Sequence, residues 1–159
     1  MKKILVLSDS HGNIENMIYA IEETVPDMII HLGDCWSDID EIIDEYDIPI
    51  ERVPGNCDYE HDFLEKIIEI EGKKIMICHG HKYNVKSGYL NIQMAALEKE
   101  VDAVMFGHTH RVFYDYHNGL FIFNPGSVGA PVFGVPASYG IIYIDARDNT
   151  IRHEIKYIE

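Results

Sequence analysis

Cysteine is scarce in this chain: three residues, Cys35, Cys57 and Cys78, odd in number and widely separated. No Cys-x-x-Cys occurs, so neither a disulfide framework nor a thiolate zinc site is indicated, and buried free thiols are the expectation. Positive charge is also in short supply. Thirteen Lys and Arg stand against 27 Asp and Glu, for a formal charge of −14. Recognition of long nucleic acid needs clustered basic residues, so no long DNA or RNA partner is expected. No apolar run approaches the roughly 20 residues of a membrane helix. The opening Met1-Lys2-Lys3-Ile4-Leu5-Val6-Leu7 is too short for a secretory leader and is interrupted by Ser8-Asp9-Ser10-His11. No membrane partner and a cytoplasmic location are expected. There is no repeat and no low-complexity tract.

What remains is ordinary for a globular chain: 47% hydrophobic and 25% charged in 159 residues, enough for one domain spanning 1–159 with a sizeable core. Residues 3–7 read as a buried strand, and Asn13 as the cap of a helix with Ile14, Met17, Ile18 and Ile21 on one stripe. Strands follow at 28–31 and 50–53, with a helix at 39–46 between them. Six acids (Asp38, Asp40, Glu41, Asp44, Glu45 and Asp47) crowd that helix. Interleaved Ile39, Ile42, Ile43 and Tyr46 favour a solvated helix face over a cation trap. Strands at 67–70 and 74–78 form a hairpin through Glu71-Gly72-Lys73, a helix spans 89–99, and a strand at 103–106 precedes Gly107-His108-Thr109-His110. Beyond it the pattern turns to antiparallel pairs, 112–116 with 120–123 and 139–144 with 151–157. The segment 124–134, with three glycines and two prolines, reads as an ordered functional loop.

Chemistry gathers where strands end. Asp9 and His11, then Asp34, then Asn56, then His79, then His108 and His110 stand at the ends of five strands. In α/β sheets ligands bind beyond the carboxyl ends of strands, so these donors are expected to converge. His108 and His110, two apart in extended chain, would point to the same side. Seven donors, three oxygens and four imidazoles, exceed one tetrahedral ion and suit two. Such a shell fits Mn, Fe, Ni, Co or Zn but not copper(I). Asp34, alone on its turn, is the natural bridging carboxylate.

In order along the chain, Asp9-Ser10-His11, Gly33-Asp34, Gly55-Asn56-Cys57-Asp58, His79-Gly80-His81, Gly107-His108-Thr109-His110 and Asn124-Pro125-Gly126-Ser127 resemble the calcineurin-like metallophosphoesterases, and within them the small YfcE-type phosphodiesterases. The resemblance spans nearly the whole chain. It implies an α/β fold, a four-layer α-β-β-α sandwich of two mixed β-sheets flanked by helices. It assigns Asp9, His11, Asp34 and His110 to one metal and Asp34, Asn56, His79 and His108 to another, with Mn or Ni favoured. Asn56, His79 and His108 are assigned catalytic roles as well. The implied reaction is hydrolysis of small phosphodiesters by a metal-bridging hydroxide, with phosphomonoesters as the alternative substrate.

Some positions depart from the family pattern. Larger relatives carry a His after the motif Asn, where it meets phosphate or the leaving group; here that position is Cys57. Relatives often place Lys or Arg after the Gly-Ser-Val-x-x-Pro loop; here Val132 follows Pro131. His81 is read either as a donor to phosphate or as a structural hydrogen-bonder, and Asp58 either as an orienting group or as a turn cap. His31 is expected to be a satisfied core histidine, and Trp36 either walls the pocket or packs to anchor the helix, packing being favoured. A retromer subunit resembles the same family without catalytic competence, so a non-catalytic scaffold is the rival reading. The intact donor set argues for an enzyme. Self-association is left open.

Overall fold

The computed structural model describes residues 1–59 and 63–159. Along the chain run strands β1 (Lys2–Leu7), β2 (Met28–His31), β3 (Ile50–Arg52), β4 (Glu65–Ile70), β5 (Lys73–Cys78), β6 (Ala103–Met105), β7 (Val112–His117), β8 (Leu120–Pro125), β9 (Ala137–Asp145) and β10 (Thr150–Ile158). They assemble into two five-stranded sheets, ordered β10-β9-β1-β2-β3 and β4-β5-β6-β8-β7. Both are mixed: β1, β2 and β3 are parallel, as are β5, β6 and β8, with antiparallel strands beside them.

Side-chain alternation along each strand dictates the layering. Ile4 and Val6 of β1 share one core with Ile75 and Ile77 of β5, between the sheets. The intervening Leu5 and Leu7 pack outward with Met17, Ala20 and Ile21 of helix α1 (Ile14–Thr24). On the far sheet Met76, Val104 and Ile122 pack outward with Ile92 and Ala96 of helix α3 (Leu90–Glu98). A strand buried on both faces reads as a continuous apolar run, as residues 4–7 do. The expected α-β-β-α order follows from these three apolar layers.

Local signals work as the sequence indicates. The Asn13 side chain accepts the Asn16 N–H at 3.1 Å and caps α1. Both tight hairpins have two-residue loops with positive φ at each position, Glu71-Gly72 (51° and 81°) and Asn118-Gly119 (51° and 79°), as the right-handed twist of the strands requires. The helix expected at 39–46 is shorter: a 3₁₀ turn (Trp36–Ile39) leads into α2 (Asp40–Ile43), which ends at once. Asp44, Glu45 and Asp47 follow, placing negative charge at the helix end where the backbone dipole is already negative.

The parallel strands deliver their carboxyl ends to one rim of the sandwich. His79, just past β5, reaches the Leu32 carbonyl past β2 with its Nδ1 at 2.8 Å, joining the two sheets there. The fold beneath depends on large aromatics. Phe121 and Phe123 are fully buried, 5.5 Å apart between ring centroids. Phe123→Ala should cost about 3–5 kcal/mol in denaturant unfolding. A loss of about 0.5 kcal/mol or less, the size of a surface change, would contradict this packing.

Candidate metal centre

Asp9 follows β1 and is fully buried. Its Oδ2 accepts the Ser8 hydroxyl at 2.7 Å and the His108 N–H at 3.0 Å. Its Oδ1 is buried with no hydrogen-bond partner, although Nε2 of His110 lies 3.2 Å away and Nε2 of His11 3.9 Å. The His110 Nδ1 is engaged with the Ala130 carbonyl and so carries the proton. When the ring is neutral, Nε2 turns a lone pair toward a carboxylate oxygen, an arrangement that a cation resolves.

Asp34 follows β2. Its Oδ1 accepts the Cys57 N–H at 2.9 Å, while Oδ2 stands 3.6 Å from His11 Nε2 and 3.5 Å from His79 Nε2. Asp9, His11, Asp34 and His110 each offer a ligand atom, all within 4.8 Å of one another. Next to them, His79 Nε2 and His108 Nδ1 face each other at 3.2 Å. Because His79 Nδ1 donates to Leu32, its Nε2 also presents a lone pair. Asn56 stands exposed on the turn after β3, with its side-chain amide 3.7 Å from Cys57 Sγ.

Five of the seven expected donors have positive φ: Asp9 (54°), His11 (44°), Asp34 (60°), His108 (71°) and His110 (60°). This conformation costs about 1–2 kcal/mol for a residue with a Cβ, and such strain concentrates at functional sites. It also corrects the expectation that His108 and His110 share one side of extended chain. The backbone turns at both residues, and the rings part: His108 meets His79, while His110 meets Asp9 and lies tilted against His11, 5.2 Å between centroids.

The loops are locked by motif residues that are not themselves expected ligands. Asp58 is an anchor rather than a simple cap. Its Oδ2 accepts the N–H of Asp34 at 3.0 Å and of Gly55 at 2.8 Å, and Oδ1 that of Trp36 at 3.1 Å. Ser127 donates to the Asp9 carbonyl at 2.8 Å and accepts the Ala130 N–H at 2.7 Å. Asn124 donates to the Gly107 carbonyl and to Thr109 Oγ1, both at 3.0 Å. Gly107 and Gly129 are obligatory by contact: a Cβ would strike Ser8 Oγ at the first and the Ser10 carbonyl at the second.

His31 is the satisfied core histidine expected. Its Nδ1 accepts the Gly33 N–H at 3.2 Å, so Nε2 donates to Ser10 Oγ at 2.9 Å, and Ser10 donates on to Asp38 Oδ2 at 2.7 Å. Asp38, hidden among six acids in the sequence, is thus part of the support. His81 has a buried Nδ1 without a partner and a ring 5.5 Å from that of His79. Of the thiols expected to be buried, only Cys78 is; Cys35 is partly covered and Cys57 exposed, because both lie on loops at the rim.

Burial alone would raise the Asp9 and Asp34 carboxyls. Instead His110, His79 and Ser8 hold Asp9 below its ordinary value, and His79 with the Cys57 N–H holds Asp34 well below. Burial likewise opposes the His79 charge, but Asp34 and Asp9 outweigh it and raise the imidazole above its usual value. The Asp9 carboxylate, 3.2 Å from its Nε2, raises His110 against its burial. Burial and the neighbouring His79 push His108 down to about 4.

Residues 1–147 match the family model described as the calcineurin-like phosphoesterase superfamily domain. The chain is 33% identical over 152 residues to the probable metallophosphoesterase YsnB of Bacillus subtilis, covering 94% of this chain and 88% of that one. With the phosphodiesterase YfcE of Escherichia coli it shares 26% identity over 169 residues, 89% and 88% of the two chains. The solved YfcE structure matches with a TM-score of 0.67 over 99% of this chain and all of that one, at 22% identity. Vps29 of Entamoeba histolytica, solved in complex with zinc, matches with a TM-score of 0.77 at 19% identity over 98% of each chain, a likeness of fold. The chain belongs to the calcineurin-like phosphoesterase superfamily, and it is a metal-dependent phosphoric ester hydrolase by class. Among the described residues no helix is long and apolar enough to cross a membrane.

A consequence for metal loading follows. Ligation requires neutral imidazoles, and His79 and His110 hold protons more tightly than an ordinary histidine near 6.5. Their raised values stabilise the metal-free fold fully below about 6.5, and that contribution is lost as pH rises through the folded values. Metal competes with those protons, so affinity should fall as pH drops. Calorimetric Mn²⁺ titrations near pH ~6.5 in buffers of different ionisation heat should report proton release, whereas buffer-independent heats would contradict it.

Proposed function

We propose that the chain hydrolyses small phosphodiesters at a binuclear centre, Asp9, His11, Asp34 and His110 holding one divalent ion and Asp34, Asn56, His79 and His108 the other. The observation that carries this is Asp34 Oδ2, 3.6 Å from His11 on one side and 3.5 Å from His79 on the other. One carboxylate between two imidazole sets is the arrangement of a bridging ligand. The bound ions, with Mn or Ni favoured, supply Lewis acidity toward phosphoryl oxygens and lower the pKa of a water. The protein contributes a fixed donor geometry: Leu32 and Ala130 carbonyls set the tautomers of His79 and His110, and Asp58 clamps the turn bearing Asn56 to that bearing Asp34.

Charge supports a diester over a monoester. A formal charge of −14 repels a dianionic monoester more than a monoanionic diester, and Val132 replaces the basic residue expected beside the phosphate. The absence of any disulfide-type cysteine pattern suits a cytoplasmic setting.

Protonation of the leaving group is where this chain is weakest. Burial and the Asp34 charge raise the Cys57 thiol above its ordinary value, so it is a poor proton donor at neutral pH. The rate should therefore depend steeply on leaving-group pKa, aryl phosphodiesters outpacing alkyl ones and the matching monoesters. Cys57→His should recover part of the 10²–10⁴-fold that general acid catalysis typically supplies, about tenfold or more on an alkyl diester. A flat leaving-group dependence with chemistry rate-limiting would assign the proton to another group, and faster turnover of monoesters would overturn the diester reading.

A further inference from the structure

Beside the donor cluster opens a cavity of about 480 Å³, lined by Cys35, Trp36, Ser37, Cys57, Asp58 and Tyr59. It borders the loops that carry Asp34 and Asn56. Cys35 adjoins Asp34 in the chain, and the Cys57 N–H is bonded to Asp34 Oδ1 at 2.9 Å. The volume lies within the roughly 300–1,000 Å³ of small-molecule sites.

Its aromatic wall is fixed in advance. The Arg52 guanidinium sits 4.5 Å from the Trp36 ring centroid, with Nη1 donating to the Trp36 carbonyl at 3.1 Å and to Asp40 Oδ1 at 2.9 Å. The Trp36 N–H is held by Asp58. Trp36, read from sequence either as a pocket wall or as a packing residue, is partly buried and lines the cavity. Tyr59, also on its wall, is 99% exposed. An aromatic ring left in water beside a reaction centre is a surface awaiting a flat partner.

We propose that this cavity is a nucleobase subsite, so that the substrate is a small nucleoside phosphodiester with its phosphate at the donor cluster and its base against Trp36 and Tyr59. This rests on the diester reading above. The lining discriminates among occupants. A lipid chain would call for aliphatic walls, whereas two aromatic rings, a Ser37 hydroxyl and the Asp58 carboxylate suit a planar heterocycle with polar edges. A base is uncharged, so its stacking is indifferent to the acidic surface that repels longer polyanions.

Trp36 is the only tryptophan in the chain, so its fluorescence reports on the cavity directly. The Mn²⁺-loaded protein should be titrated with AMP and with ribose 5-phosphate, exciting beyond adenine absorption. AMP should quench Trp36 and bind about tenfold more tightly than ribose 5-phosphate, the ratio that about 1.4 kcal/mol of stacking gives. Tyr59→Ala, at a site too exposed to unsettle the fold, should lower AMP affinity toward that of ribose 5-phosphate, and Tyr59→Phe should retain it. Equal affinities, or AMP binding without quenching, would overturn the subsite. Cleavage of a simple methyl aryl phosphodiester, measured in parallel, decides the diester reading separately: turnover there with equal affinities removes the subsite alone, and no turnover removes the reading beneath it.

Discussion

Two carboxylates held out of water govern this structure. Asp9 is fully buried and Asp34 nearly so, and ionised carboxylates tolerate such a place only when charge and hydrogen bonds compensate them. Each has one oxygen tied down: Asp9 Oδ2 by Ser8 and the His108 N–H, Asp34 Oδ1 by the Cys57 N–H. The other oxygen of each faces imidazoles. The positive-φ turns at the strand ends, the obligatory glycines and the Asp58 and Ser127 clamps all hold that second oxygen in place. Carboxylate oxygens and imidazole nitrogens gathered in this way are the donor chemistry that divalent first-row metals take up.

The layering and most elements were legible in sequence because alternation and turn chemistry are local. Residues 4–7, the Asn118-Gly119 turn and the Asn13 cap each carry their instruction within a few positions. The donor positions were legible for a related reason: each follows a strand, and parallel strands end on one side. What the sequence did not show were consequences of long-range contact. Asp58 reaches back 24 residues to the Asp34 N–H, and Asn16 reaches 112 residues to the Val128 carbonyl. Asp38 was concealed by its acidic neighbours, and nothing local marks it as the partner of Ser10. The extended-chain argument for His108 and His110 failed because pattern reasoning assumes ordinary φ, and the site holds both residues outside it. The second helix differs otherwise: its apolar spacing was right, but only Asp40–Ile43 is regular α-helix, between a 3₁₀ turn and a closing turn on the Ile42 carbonyl.

The two sheets contribute unequally to the centre. Asp9, His11, Asp34 and Asn56 follow strands of the first, while His79, His108 and His110 follow strands of the second. Oxygen donors are therefore confined to one sheet, and neither sheet alone supplies a full set. The centre exists because both rims coincide, fastened by His79 to Leu32 and by the His108 N–H to Asp9.

The central claim is that Asp34 serves two ions. It is tested most directly by elemental analysis of the protein after saturation with Mn²⁺ or Ni²⁺ and removal of free metal, alongside a His79→Ala variant. Two ions per chain are predicted for the parent and one for the variant, which keeps Asp9, His11, Asp34 and His110. A single ion per chain in the parent at saturation would contradict the account.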